Sequence, residues 1–246
     1  MTKFRRINSI GIIMLLSASF LFNCTKEVGE DDLVKELGIM YEGNSEDPFS
    51  GKSVSYYDSG ELEIEKLYVD GYRDGLTTAW HKNGEKWFII EYKNGNAHGH
   101  QTSWHANGKK SSQAEFNNDA LDGDYKAWYK NGKKKIYAEF EDGEFDGDYT
   151  SWYENGNKCI QIDEVTGGEL KRGMRSLLSA SIFSPDGWNA KNSPSNLRGT
   201  KDIIIDGTYK NWYENGELHW KAEFDDGIID GDIKEWSENG KRLKTP

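Results

Sequence analysis

Residues 127–148 read AWYKNGKKKIYAEFEDGEFDGD, and residues 211–232 read NWYENGELHWKAEFDDGIIDGD. One pattern is written twice, and its spacing extends outward in both directions. A glycine stands at 51, 75, 99, 123, 147, 207 and 231. The step is 24 residues throughout, apart from one gap of 60, which is one period plus 36. Five residues after each glycine come Tyr56, Trp80, Trp104, Trp128, Trp152, Trp212 and Trp236. Turn pairs follow three residues later, from Ser59-Gly60 and Asn83-Gly84 to Asn239-Gly240. Further along stand Tyr68, Tyr92, Phe116, Phe140 and Phe224, then second turns such as Asp142-Gly143 and Asp226-Gly227. A fixed period over this many blocks marks a repeat array, in which each unit packs only on its neighbours.

The local chemistry names the unit. Asn-Gly or Asp-Gly between two strand-like runs signals a hairpin, because a type I′ turn needs positive φ at both central residues. Two turns per 24 residues leave two strands per repeat, each of common length. The expected fold is therefore all-β, a single-layer antiparallel meander of about fourteen strands at about 4.8 Å per strand. In the third block Asn118-Asp119 replaces the second turn, and Asp also tolerates the left-handed region.

Alternation assigns the faces in part. Ile136, Ala138 and Phe140 alternate with Lys135, Tyr137 and Glu139, and Trp220, Ala222 and Phe224 repeat the pattern. Period two places one set on an apolar face. With two-residue turns throughout, Tyr125, Ala127 and Tyr129 join that face, and Trp128 points the other way, beside Lys126 and Glu139. A one-residue bulge at the repeat glycine would flip the parity and bring the Trp inward. The register without a bulge is preferred, since it sets Phe145 and Ile229 opposite Phe140 and Phe224.

The quoted WYENG, AEFDDG and DG elements resemble the MORN-repeat variant of the YwqK-type antitoxin family. The segment GIMYEGNSEDPFSGKSVSYYDSGEL is similar to the opening of such proteins, with a short strand at Gly38 to Tyr41 and a turn at Pro48, Phe49, Ser50 and Gly51. The likeness covers residues 37–246 apart from an insertion. It implies a long twisted meander that serves as a binding surface, without a catalytic centre.

The remaining segments carry their own signals. Residues 1–24, MTKFRRINSIGIIMLLSASFLFNC, place Lys3, Arg5 and Arg6 before an apolar run, the pattern of an export signal. LFNC resembles the lipobox of bacterial lipoproteins, with Leu21 three before Cys24 and Asn23 in place of the usual small residue. Cys24 is thus the expected lipidation site, and residues 1–23 the removed signal. Residues 24–36 read as an acidic tether, and 37–246 as the repeat domain. From 165 to 202 the period fails. Leu170, Met174, Leu177 and Leu178 there fit a short helix, and Lys171, Arg172, Arg175, Lys191, Arg198 and Lys201 make the insertion basic. Loops inserted in repeat arrays often carry function, so Arg172 and Arg175 are candidate partner contacts.

Composition bounds the function classes. The net charge of -11 disfavours nucleic acid. No nucleophile-base-orienter pattern, phosphate loop or zinc spacing stands out, so no catalytic, cofactor or metal residue is assigned. His81 and His105 share a repeat position and read as members of an aromatic column. The Asp-Gly-Asp triplets read as turn chemistry rather than a calcium loop. Cys159 reads as a free, inert thiol. The expected protein is a lipid-anchored monomer whose Trp80, Trp104, Trp128, Trp152, Trp212 and Trp236 meet a protein partner. Two alternatives stand beside it. One is an antitoxin or immunity protein that neutralises a basic toxin. The other is an enzyme or lipid-binding role centred on the insertion.

Overall fold

The computed structural model describes residues 26–167 and 203–243. Its strands are β1 (Glu27–Gly29), β2 (Leu33–Glu36), β3 (Ile39–Glu42), β4 (Gly51–Tyr56), β5 (Leu62–Val69), β6 (Tyr72–Trp80), β7 (Lys86–Lys93), β8 (Asn96–Trp104), β9 (Lys110–Asn117), β10 (Ala120–Leu121), β11 (Gly123–Trp128), β12 (Lys134–Glu141), β13 (Glu144–Trp152), β14 (Lys158–Gly167), β15 (Ile203–Trp212), β16 (Leu218–Asp225) and β17 (Ile228–Glu235). From β4 onward each strand is hydrogen-bonded to the next, with β10 and β11 forming one interrupted strand beside β9. The expected antiparallel meander is the fold. Among the described residues the only helical element is a 3-10 turn at Glu30–Asp32.

The two turn types differ in kind. Asp70-Gly71, Asn94-Gly95, Asn118-Asp119, Asp142-Gly143 and Asp226-Gly227 have positive φ at both residues, as type I′ requires. At the turns that follow each tryptophan, such as Asn131-Gly132, only the glycine does, with Gly132 at φ 90. Gly132 N donates to Tyr129 O at 2.8 Å, and Tyr129 N donates to Lys133 O at 2.9 Å. That is a three-residue loop, a type I turn closed by a left-handed glycine. The type I′ expectation fails at these turns, and the Asn side chain is engaged elsewhere. Asn131 Oδ1 accepts from Lys133 N at 2.9 Å, and its Nδ2 donates to Glu154 O of the next repeat at 2.9 Å.

The register also departs from the one expected, while the faces do not. Between β12 and β13, Ala138 pairs with Tyr149 and Phe140 with Phe145, so two extra residues bulge from β13 around Gly147. The same two-residue bulge occurs at Gly75, Gly99 and Gly231. Two extra residues leave a period of two unchanged. Tyr125, Ala127, Ala138, Phe140, Phe145 and Tyr149 are therefore all buried on one face, and Trp128 lies on the other. A second bulge follows each Asn-Gly turn: Ala127 pairs with Ile136 but Trp128 with Lys134, which leaves Lys135 as the extra residue. Lys135, expected on the outer face, instead lies with its ammonium 5.4 Å from the Tyr129 ring.

The inner face is filled by rings and small residues in alternation. Phe140 and Phe145 lie 4.5 Å apart, with Tyr125 edge-on to Phe140 and Tyr149 edge-on to Phe145. Alanines at 79, 114, 127, 138 and 222 leave room for them. Burial holds these phenols protonated, pushing Tyr125 up to about 12 and raising Tyr149 and Tyr209 as well. Block five departs from the pattern. Gly147 pairs with Val165 and Tyr149 with Ile162, so one residue bulges at Asp163-Glu164. A single extra residue flips the parity, which turns Val165 inward with Ile160 and Ile162, all 0% exposed. The insertion was expected to begin at 165. The structure carries the strand to Gly167, paired with Ile203, and residues 168–202 lie outside the described residues.

The acidic segment expected as a tether is folded onto the array. β1 pairs parallel with β4, and Lys52 bridges Glu27 at 2.7 Å. Glu30 receives a hydrogen bond from Ser53 at 3.1 Å and pairs with Lys66. Ser53 is fully buried. Glu30 thus caps the polar end of the inner face, where the first repeat has no predecessor to cover it.

Candidate binding surface

The outer face is built by the strands that carry the tryptophans. Trp80, Trp104, Trp128, Trp152, Trp212 and Trp236 are all half-buried and follow one another along that face. The bulge after each Asn-Gly turn sets a lysine opposite the ring, pairing Trp80 with Lys86, Trp104 with Lys110, Trp128 with Lys134 and Trp152 with Lys158. Each of the last three lysines also covers the indole of the following repeat. Lys110 lies 6.0 Å from the Trp128 ring, Lys134 5.4 Å from Trp152 and Lys158 5.6 Å from Trp212. Indoles and ammoniums therefore alternate in one row, held by cation-π attraction. At the next step Trp212 faces Leu218, and the row loses its lysine. The lysines had a signal in the sequence: four tryptophans in succession have Lys six residues later.

Beside Trp128 the outer face carries a polar network. Lys126 bridges Asp124 at 2.6 Å, and Tyr137 donates to Asp124 at 3.0 Å and also contacts Glu139. The ammonium holds the Asp124 carboxyl below its ordinary value, and the Glu139 carboxylate raises the Tyr137 phenol. Glu139 also accepts from Asp148 N at 2.9 Å, over Gly147. The Asp-Gly-Asp triplets therefore lie in the bulges. Among the described residues no group of three His, Cys, Asp or Glu is placed to hold a metal ion.

The Asn-Gly edge carries a second column. Tyr57, Tyr129, Tyr153 and Tyr213 each donate to the carbonyl of the next repeat's tryptophan, at 2.6 to 2.9 Å. His81 and His105 make the same contact at 2.9 Å, to Trp104 O and Trp128 O. The histidines thus stand in for tyrosine in the column. A groove of about 520 Å³ runs beside it, lined by His105, Tyr129, Lys130, Lys135, Tyr153 and Glu154, among others.

His219 is the bulged residue of its repeat and stacks on Tyr213 at 4.1 Å. Burial pushes its pKa from 6.5 down to about 4. The unfolded chain then binds the proton more readily than the native one. The stability it contributes is complete above pH 6.5 and is lost as the pH falls toward 4. After allowance for water at the half-buried ring, the loss is about 1–2 kcal/mol. Denaturant unfolding at pH 7 and pH 4.5 measures it. The drop should shrink by that amount in His219→Phe, which keeps the stack, and an equal drop in both proteins defeats the assignment.

Cys24, Arg172 and Arg175 lie outside the described residues. The six tryptophans are brought into one row, as their spacing implied. No curated protein matches the chain. The model of the MORN repeat variant family matches residues 50–70, 73–94, 97–118, 121–142, 145–163 and 205–226. These six segments follow the two-strand repeats described above and together span more than half of the chain, which therefore belongs to the MORN repeat variant family.

Proposed function

We propose that this protein is a lipid-anchored, non-enzymatic binding module whose outer face holds a protein partner. The Trp-Lys row carries the reading. Half-buried indoles flanked by charge, repeated at a fixed spacing on a solvent face, are the composition of a protein interface. The rings from Trp80 to Trp212 sit on paired strands, so little backbone freedom is lost on binding. Anchoring rests on the export pattern of residues 1–23 and the lipobox likeness at Cys24. Several acyl chains on one cysteine give stable membrane attachment.

The test is capture of a partner by the anchored protein in detergent-solubilised membranes. Joint replacement of Trp128 and Trp152 by Ala should weaken capture at least about tenfold, as loss of interface hot spots does. Capture that survives this change but is lost on deleting residues 168–202 moves the site to the insertion and defeats the proposal. Cys24→Ala should release the protein from the membrane fraction, and unchanged sedimentation defeats the anchor. A second reading, an immunity protein for a basic toxin, is favoured by the net charge of -11 alone. Capture of a basic toxin whose activity is quenched would select it.

A further inference from the structure

Among the described residues, one turn with two positive-φ positions breaks the rule kept by the others. The type I′ turns of the repeats place Asp or Asn at their first positive-φ position, namely Asp70, Asn94, Asn118, Asp142 and Asp226. The β2–β3 hairpin turns through Leu37-Gly38 with φ of 49 and 93, and Glu36 pairs with Ile39. Leucine is poorly suited to that conformation, because its Cβ crowds the following carbonyl, whereas Asn and Asp tolerate it. It is also the most exposed apolar side chain among the described residues, at 104%, with Val34 of the same hairpin at 44%. Fold and solubility would both favour Asn at this position, so a leucine there points to an apolar environment outside the fold.

The hairpin is not a loose loop. Met40 N donates to Gly71 O at 3.0 Å, Phe49 N to Met40 O at 2.8 Å and Gly43 N to Asp32 O at 2.8 Å. Leu37 is therefore held out at a fixed place on the first repeats. The base of that hairpin is close to the expected anchor, since Lys26, two residues after Cys24, bridges Glu42 of β3. β1 begins three residues after Cys24, so acyl chains on Cys24 would lie within about 10 Å of the sheet at extended-chain spacing. No long spacer separates the array from the bilayer, since residues 27–32 are bound to β4 and the first repeat.

We infer that the Leu37 tip of the β2–β3 hairpin inserts into the lipid surface beside the anchor and sets the sheet with its first repeats at the bilayer. The inference rests on the lipid-anchor reading and adds a second, independent contact to it. The bilayer it fits is zwitterionic. Asp31, Asp32, Glu36 and Glu42 surround the hairpin against Lys26 and Lys35, so an anionic surface repels it at low salt. One leucine adsorbs weakly by itself, but beside a covalent anchor its effective concentration at the interface is high.

The test uses the full chain, purified from membranes and placed in phosphatidylcholine vesicles. Leu37→Cys carries an environment-sensitive dye. Cys159 is 1% exposed and does not compete for it, and an acylated Cys24 has no free thiol. The dye at 37 should shift to the blue and be quenched by spin-labelled lipid, while the same dye at Asp58→Cys on the opposite turn edge stays aqueous. An aqueous spectrum at 37 overturns the insertion. A dye at Lys35→Cys checks the leucine itself. It should lose its quenching by at least about tenfold when Leu37→Asn is added, the lower end of the range expected for withdrawing one leucine side chain from lipid. Asn suits the turn, so unfolding does not explain such a loss, and unchanged quenching overturns the role of Leu37. Intact mass decides the anchor separately. If the mass lacks acyl chains, the anchor falls and the dye is read after the chain is added to the same vesicles. A blue shift there still supports the tip, whereas an aqueous spectrum overturns the inference together with the anchor on which it rests, a result distinct from an acylated protein whose dye stays aqueous.

Discussion

Tyr209→Ala should lower the stability of this protein by about 3–5 kcal/mol, the range for truncating a large buried ring. Tyr209 is 0% exposed and stands between Ile162 and Ala222 in the inner row. Its ring lies edge-on to Phe224 at 6.3 Å. The strands on either side are paired along their length, so they cannot close over the cavity. Each repeat contacts only its neighbours, and the damage should therefore be local. β15 to β17 should detach at lower denaturant than the repeats before them, visible as faster amide exchange confined to residues 203–235. Trp152→Ala is the control on the opposite face. It removes a half-buried ring and a cation-π contact, and should cost about 1–2 kcal/mol. Similar losses for the two would mean that the faces have been assigned the wrong way round.

Gly71→Ala should cost about 2–4 kcal/mol and act on a different part of the molecule. Gly71 has φ 79, where any Cβ is strained, and this Cβ would also collide with Ile39 and lie 2.9 Å from Met40 O. Gly71 is the residue on which the β2–β3 hairpin is hung, since its carbonyl accepts from Met40 N and its N–H donates to Phe49 O at 2.8 Å. The expected result is release of the hairpin, read as loss of exchange protection at residues 33–43 while the later repeats keep theirs. Gly231→Ala supplies the comparison. Its φ is 86, yet nothing lies within 4 Å of the added Cβ, so only the backbone strain of about 1 kcal/mol remains. Equal effects at the two positions would show that the contact with the hairpin contributes nothing.

The Trp-Lys row shows how far the site was legible. The period of 24 residues and the alternation of Ile136, Ala138 and Phe140 were enough to place the tryptophans on the outer face and in one line. Their partners were not placed, because an unbulged ladder puts Lys135 beside the ring and Lys134 on the inner side. The bulge after the Asn-Gly turn reverses this, and it depends on the turn closing as a three-residue loop. The same loop closes at Ser59-Gly60 and at Asn239-Gly240, and in the middle of the array Asn131 adds a bond to the carbonyl of Glu154 one repeat away. A contact between repeats is invisible in any single hairpin.

The sequence by itself determined the number of repeats, the two turns in each, the antiparallel order and the face that is buried. Those follow from local preferences and a period of two, and hydrophobic burial enforces them whatever the exact pairing. The tertiary structure alone decided the bulges, the inward turn of Val165 and the docking of residues 27–32 on β4. These depend on which backbone groups find partners across strands and on what the first repeat needs to cover its open end. A segment rich in Glu and Asp reads as solvated until Ser53 and Lys66 are seen waiting for Glu30. Local pattern specifies the unit, and the neighbouring unit supplies the hydrogen bonds that settle its register.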